Sequence, residues 1–266
     1  MGKNIISLIS EDKKSMLKIE KGELISYQKN GFEFIHQKGN KGWRNSDDEM
    51  FPVIGPTSKN NFRMHTKNGD AIQDQHGLLR EMDYTLISSD EKSAHFSKEY
   101  KKNTEIINSK FPEKSSEETL FWPFNFLFEK TFTLTNTYLK VDFSINSKKN
   151  MPFMLGYHPA FLLSDSGKET LQSGDVKITL DEIFKAGSNA FPVLNSNKII
   201  LKNINKNDIE ITTKGFDNFM LWTEVNNMLC IEPITQYTSY TDQIFSEDNM
   251  RLSEGKNNFS VKIKVL

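Results

Sequence analysis

The sequence predicts an all-β protein, folded as a large antiparallel sandwich or barrel, on three observations. Apolar and polar residues alternate in about fifteen to twenty short segments that recur roughly every 8–12 residues. Turn-forming residues, such as Asn30-Gly31 and Lys67-Asn68-Gly69-Asp70, separate these segments. Helical periodicity is weak throughout, and the best example is a single turn near Asp181 to Lys185.

The alternating segments predict a succession of strands along the chain. In order, they are expected at 5–9, 15–21, 22–29, 32–36, 50–54, 84–88, 93–100, 119–120, 127–134, 138–145, 151–155, 175–180, 199–201, 209–213, 219–223, 228–231 and 259–265. Asn30-Gly31 favours a tight hairpin between two of them. Residues 39–48 and 110–118 are expected to form polar loops.

The composition is typical of a globular protein with a large core. Of the 266 residues, 36% are hydrophobic and 20 are Phe, and no repeat or linker divides the chain. We therefore expect one domain over residues 1–266. The net charge is −1, with 34 basic and 35 acidic side chains, which argues against a nucleic-acid partner.

Several features favour a cytoplasmic location. Cys230 is the only cysteine, so the chain cannot form an intrachain disulfide, as suits a reducing compartment. The first apolar run is too short for a secretory signal. No run approaches the length of a membrane helix, so no membrane partner is expected.

The motifs leave acid–base chemistry as the leading possibility. The five histidines show no zinc-binding spacing, and a single cysteine excludes cysteine-rich metal sites. Dinucleotide, P-loop and GxSxG motifs are absent, so nucleotide-binding and α/β-hydrolase functions lose their usual support. Histidine and carboxylate side chains remain as the candidate groups.

His158 is the first candidate. It follows a strand, a basic turn and an apolar run, in the sequence Gly156-Tyr157-His158-Pro159. Pro159 favours an extended conformation for His158, which we expect at the end of a buried strand, where its imidazole is rigid. The alternative is a strand-end histidine that satisfies a hydrogen bond and has no chemical role.

Two further segments carry suitable groups. His76 and Arg80 share one segment and could together bind hydroxyls or an anion, although an exposed polar loop would look the same. Glu232 is predicted to follow the apolar strand at 228–231 and precedes Pro233. A carboxylate there is either functional or turned to solvent.

Four motifs, in order, together resemble the aldose 1-epimerase (galactose mutarotase-like) family, in particular its shorter bacterial branch. They are FPVIG at 51–55, HGLLRE at 76–81, NSKKNMPFMLGYHPAF at 146–161 and LWTEVNNMLCIEPITQ at 221–236, and the third is the most specific. The resemblance covers nearly the whole chain. It implies an antiparallel β-supersandwich with a sugar on a concave face, and an isomerase of carbohydrate metabolism.

The resemblance also implies roles for individual residues. Glu232 would be the general base for the anomeric hydroxyl, and His158 the general acid for the ring oxygen, on opposite sides of C1 and a sugar ring's width apart. His76, Arg80 and, by a looser alignment, Arg44 would bind the sugar. No metal or cofactor is implied, and the rate should follow a bell-shaped pH profile, falling below the pKa of Glu232 and again as His158 loses its proton.

Some features depart from the family pattern. The additional sugar-binding Asp has no clear counterpart, and Asp181 and Asp217 are both possible. Ile234 and Leu78 replace the family's Trp and Phe, which leaves the identity of the sugar open. Tyr157, Trp222 and Trp122 could stack on a sugar, although core packing is the commoner role of such residues.

Four functions therefore remain in view. The chain is expected to be an aldose 1-epimerase for an aldohexose, as a monomer or homodimer. The alternatives are a hexose-6-phosphate 1-epimerase, a non-catalytic carbohydrate-binding protein on the same scaffold, since a fold does not determine activity, or a structural β domain.

Overall fold

A computed structural model describes residues 5–238 and 250–266 of the chain. The first strands are β1 Ile5–Ile9, β2 Ser15–Glu20, β3 Glu23–Lys29, β4 Phe32–Glu33, β5 Glu49–Met50, β6 Arg63–Thr66, β7 Gly69–Ile72, β8 Thr85–Ser89, β9 Ser93–Tyr100, β10 Ile106–Ile107, β11 Thr119–Leu120, β12 Phe126–Leu134 and β13 Leu139–Ser147. They are followed by β14 Pro152–Phe153, β15 Gly156–Tyr157, β16 Ala160–Leu162, β17 Thr170–Ser173, β18 Val176–Thr179, β19 Phe191–Val193, β20 Lys198–Lys202, β21 Ile209–Lys214, β22 Asn218–Trp222, β23 Met228–Ile234, β24 Arg251–Leu252 and β25 Lys256–Val265. The helices are α1 Leu180–Ala186 and three 3₁₀ turns at Ser58–Asn60, Leu79–Glu81 and Gly187–Asn189.

Large antiparallel sheets dominate the described residues. A nine-stranded sheet has the order β18-β17-β20-β21-β25-β13-β12-β9-β8. A six-stranded sheet has the order β19-β22-β23-β15-β5, with β16 also paired to β23, and strands β1 to β4 form a third sheet. The prediction of an all-β antiparallel fold is confirmed.

Alternation along the strands explains how the nine-stranded sheet buries one face. In β12 every second residue is at most 3% exposed and alternates with half-buried residues, and β13 repeats the pattern: the buried residues of β12 are Phe126, Phe128, Lys130, Phe132 and Leu134. Such alternation presents one apolar face to the core. Strand β23 is different because every residue in it is buried, which shows that both of its faces are covered.

Two local predictions are confirmed. Asn30 and Gly31 both have positive φ, at 51° and 83°, as a two-residue hairpin between β3 and β4 requires. The helical turn predicted near residues 181–185 is α1. A capping box stabilises its start, since the Thr179 hydroxyl accepts a hydrogen bond from the Glu182 amide and the Glu182 carboxylate accepts one from the Thr179 amide.

Several predicted strands are shorter in the structure, and the segment at 32–36 forms only β4. The segment at 50–54 is extended only as β5, because Pro52 cannot donate to a ladder. Phe51 instead donates its backbone N–H to the His76 carbonyl, so this segment holds the loop that carries His76. The segment at 151–155 forms only β14.

Among the described residues, no helix has the length and apolar character needed to cross a bilayer.

Candidate active site

A cavity of about 660 Å³ lies beside the six-stranded sheet. The cavity is lined by all five residues that the sequence analysis singled out, which lie up to 188 positions apart in the chain. They are Arg44, His76, Arg80, His158 and Glu232. Its volume is within the range of about 300–1,000 Å³ that is usual for small-molecule sites. The fold therefore brings the candidate groups to one concave surface.

Strand pairing places His158 directly opposite Glu232. The β16 ladder sets Ala160 opposite Cys230, and the β15 ladder continues the same register along β23. His158 and Glu232 lie between these two ladders and are cross-strand neighbours, whose side chains emerge on one face of the sheet. Glu232 thus lies within β23, and the prediction that it follows the strand was wrong by a few residues.

The His158 Nε2 atom lies 3.4 Å from Oε1 of Glu232. The expected separation of a sugar ring's width was therefore wrong, because the two residues are paired across adjacent strands. Both side chains are almost fully buried, with His158 at 6% and Glu232 at 2% exposure. The backbone N–H of His158 donates to the Asp48 carbonyl at 2.8 Å, which fixes the chain at this point.

Burial determines the protonation state of the His158–Glu232 pair. It lowers the pKa of His158 to about 3, and the positive charge of Arg80 acts in the same direction. Burial also raises the pKa of Glu232 well above its ordinary value. Both shifts favour the uncharged groups. Between the two pKa values, the pair therefore holds a single proton.

His76 lies on a strained turn beside the pair. Its φ is +76°, and the next residue, Gly77, also has a positive φ and lies so close to Phe51 that a Cβ atom would meet the Phe51 carbonyl oxygen at 2.2 Å. The His76 Nδ1 atom is 3.1 Å from the Ile54 carbonyl oxygen, which can only accept, so Nδ1 carries the proton. Burial lowers the pKa of His76, which leaves Nε2 as an acceptor for a ligand hydroxyl.

Arg80 is held by the partly buried carboxylate of Asp48. Its guanidinium lies 3.2 Å from Oδ2 of Asp48, and the exposed fractions of the two side chains are 10% and 16%. The same Asp48 accepts the backbone hydrogen bond of His158. Asp48 therefore links the position of Arg80 to that of His158, a role that the sequence did not indicate.

A buried network of charged residues stabilises the segment around Asp48. The Lys130 ammonium lies 2.8 Å from Asp47 and 2.6 Å from Glu49, and both carboxylates are almost fully buried. Tyr157 donates a 2.8 Å hydrogen bond to Asp47, and Tyr84 donates one of 2.7 Å to Glu49. Removing one member would leave a buried charge unpaired, so the network holds residues 47–49 firmly in place.

Two tryptophans line the cavity next to His158. The Trp43 ring stacks on the imidazole, with 4.2 Å between centroids, and the Trp222 ring lies edge-on at 6.4 Å. Trp222 is one of the aromatic residues considered for stacking on a sugar. The other two, Tyr157 and Trp122, are fully buried in the core.

The cavity includes groups that the sequence did not single out. Its other charged lining residues are Lys110, Glu113, Lys114 and Glu224, of which the first three come from the charged loop at 110–118. Asp181 and Asp217, the two candidates for an additional sugar-binding carboxylate, are not among the lining residues. Asp217 is instead exposed and paired with Arg251.

Comparison with known proteins assigns the family. The model of the aldose 1-epimerase family matches residues 22–249, and the chain belongs to this family. The fold is that of a galactose mutarotase-like protein from Lactobacillus casei ATCC 334, with a TM-score of 0.76 and 17% identity over 99% of this chain and 100% of the other. A galactose mutarotase related enzyme from Lactobacillus acidophilus gives a TM-score of 0.74 and 20% identity over 98% of this chain and 100% of the other.

Protein LacX, chromosomal, from Lactococcus lactis subsp. lactis is a relative by sequence. It is 24% identical over 148 residues, which are 53% of this chain and 44% of LacX. The matched region therefore spans less than half the length of this curated relative.

Proposed function

We propose that this chain is an aldose 1-epimerase, or mutarotase, that interconverts the α and β anomers of an aldohexose. The observation that carries the proposal is the buried His158–Glu232 pair, whose reactive atoms are 3.4 Å apart in the wall of a cavity of about 660 Å³. An acid and a base held together at one carbon are what ring opening requires. Membership of the aldose 1-epimerase family supports the same reaction.

In the proposed reaction, the proton shared by the pair first passes to His158, which makes Glu232 the base. Glu232 takes the proton of the anomeric hydroxyl while His158 delivers its proton to the ring oxygen, and the bond between C1 and the ring oxygen breaks. The aldehyde turns about the C1–C2 bond, and the reverse proton transfers close the ring on its other face. Both reacting oxygens are bonded to C1, so a pair 3.4 Å apart can reach them together.

The remaining lining groups would bind the sugar. The acceptor Nε2 of His76 and the guanidinium of Arg80 are suited to hydroxyl groups. Trp43 and Trp222 offer apolar surfaces to the C–H faces of a sugar ring.

The pH dependence of kcat/KM should be a broad bell. The pKa of His158 is lowered to about 3. The His158–Glu232 pair therefore takes up a second proton only in strong acid. The pKa of Glu232 is raised, so the pair loses its last proton, and the rate falls, as the pH rises through that value. Burial thus reverses the order of the two pKa values relative to free side chains. A fall in rate as the pH drops through the ordinary histidine range would contradict this arrangement.

Replacing Arg80 with alanine should weaken apparent sugar affinity by roughly 10- to 100-fold, because charged hydrogen bonds contribute about 1.5–3 kcal/mol. KM and the thermal unfolding midpoint would be measured together, since the change also leaves the partly buried Asp48 without its partner. The Arg80→Ala/Asp48→Asn variant removes that unpaired charge. It should recover stability while affinity remains weak, and normal affinity in either variant would remove Arg80 from the sugar site.

Polarimetry on freshly dissolved α-glucose and α-galactose tests the reaction itself. We expect optical rotation to relax faster than in buffer, in proportion to protein concentration. Sugar binding by calorimetry, without any acceleration across a broad panel of aldoses, would instead identify a non-catalytic carbohydrate-binding protein.

A hexose-6-phosphate 1-epimerase is the second candidate, and the cations at the cavity favour it. Arg44 and Lys114 are exposed lining residues, and neither forms a side-chain hydrogen bond or ion pair within the described part of the chain. Arg44→Ala should then lower kcat/KM for glucose 6-phosphate and leave that for glucose unchanged. An equal effect on both sugars would argue against a phosphate at this position.

A further inference from the structure

The only thiol of the chain lies beside the His158–Glu232 pair. Cys230 precedes Glu232 by two residues in β23, so both side chains emerge on the same face of the strand. One nitrogen of His158, the Cys230 sulfur and one oxygen of Glu232 all lie within 4.8 Å of one another, and all three residues are buried. The Nδ1 atom of His158 has no hydrogen-bond partner within the described residues, so it does not hold the ring to another group.

We propose that His158, Cys230 and Glu232 form a binding site for a thiophilic divalent cation of the Zn²⁺ class. Imidazole nitrogen, thiolate sulfur and carboxylate oxygen are all zinc ligands, and sites with three protein ligands keep a fourth position open. Here that fourth position would face the cavity, which His158 and Glu232 line.

The distances suit this coordination. In a tetrahedral site with Zn–N and Zn–O bonds of about 2.0–2.2 Å, the two ligand atoms lie about 3.3–3.6 Å apart. The observed separation of Nε2 in His158 from Oε1 in Glu232 is 3.4 Å. The sulfur must approach to about 3.6 Å from the other ligands, which for a starting distance of at most 4.8 Å is a shift of roughly 1 Å.

Metal ligands bind in their deprotonated forms, so cation binding to the Cys230 sulfur would release the thiol proton.

Cation binding would block the proposed reaction. It would engage both the acid and the base and occupy the position of the anomeric centre, so Zn²⁺ should inhibit competitively with the sugar. This inhibition depends on the proposed function, whereas cation binding itself does not.

Cobalt titration tests the binding independently of activity. The chelator-treated full-length protein would be titrated with Co²⁺, for which thiolate ligation gives a charge-transfer absorption band; any such band must come from Cys230. We expect the band to saturate at one equivalent and to disappear when Zn²⁺ is added. No band at one equivalent, or Co²⁺ binding without a thiolate band, would overturn the three-ligand site.

Two variants complete the test. Cys230→Ser and Cys230→Ala should keep metal-free mutarotation but weaken Zn²⁺ inhibition by at least ~10²-fold, since loss of even an outer partner of a metal site costs about 10- to 100-fold in affinity. Using both variants, with circular dichroism of each, separates metal binding from a folding defect at this buried position. Unchanged Zn²⁺ inhibition in a folded variant would overturn the role of Cys230. A cobalt–thiolate band without inhibition of an active wild-type protein would support the cation site and contradict the proposed roles of His158 and Glu232.

Discussion

Replacing Glu232 with glutamine is expected to lower the catalysed mutarotation rate by at least ~10²-fold, because an amide cannot take the proton of the anomeric hydroxyl. The fold should survive, since glutamine has nearly the same shape and is uncharged, as the buried carboxyl group is when protonated. Polarimetry would give the rate, and thermal unfolding would show whether the protein is intact.

Glu224 provides a matched control for this change. It lines the same cavity but is exposed, and no step of the proposed reaction uses it. Glu224→Gln should therefore have a rate close to that of the wild type. Equal losses in the two variants would point to a general electrostatic effect of the cavity, and a near-normal rate in a folded Glu232→Gln variant would exclude Glu232 as the base.

Replacing His158 with asparagine is expected to lower the rate by a similar factor, at least ~10²-fold, through loss of the acid that protonates the ring oxygen. The asparagine amide does not titrate in the accessible pH range, so any residual rate should also lose the acid limb that belongs to His158. The measurement is kcat/KM against pH for this variant and the wild type.

His65 offers the control for this second change. Its side chain is 77% exposed and pairs with Asp70 on the β6–β7 hairpin, and it is not among the residues lining the cavity. His65→Asn should keep the wild-type rate and pH profile. If His158→Asn kept both as well, while remaining folded, the imidazole would have no part in the chemistry.

The sequence predicted features that depend on neighbouring residues. Alternation revealed the strands, Asn30-Gly31 revealed a hairpin, and the turn near 181–185 proved to be α1. Each of these signals is short-range, because hydrophobic period and turn chemistry act within a few residues.

Other features depend on pairing between distant strands, which a single sequence does not show. The separation of His158 from Glu232 follows from the register of β23. The predicted separation of a sugar ring's width was wrong because these residues, 74 positions apart in the chain, are direct neighbours in the sheet. In the same way, Asp47 pairs with Lys130 across 83 positions. A lysine at an inward position of β12 was a visible signal of such a partner, since a lysine is almost never buried alone.

The charged loop at 110–118 has a contact with the cavity that its sequence did not predict. Its composition predicted a polar loop, and most of its residues are exposed, yet Lys110 and Lys114 line the cavity. Lys110 reaches inward because its ammonium group pairs with Asp74 at 3.0 Å and donates to the Gln75 carbonyl. The composition of a segment indicates that it is polar, but it does not indicate which site the segment lines.

The central claim is that His158 and Glu232 act as one acid–base pair on a sugar. Its most direct test is the mutarotation rate of the Glu232→Gln/His158→Asn double variant, measured by polarimetry beside the wild type and both single variants. We predict a wild-type rate well above that of buffer, and a double variant that loses about as much as the more damaged single variant, because groups that act as a unit are not additive. A wild-type rate no faster than buffer, or a double-variant loss equal to the product of the two single losses, would contradict the claim.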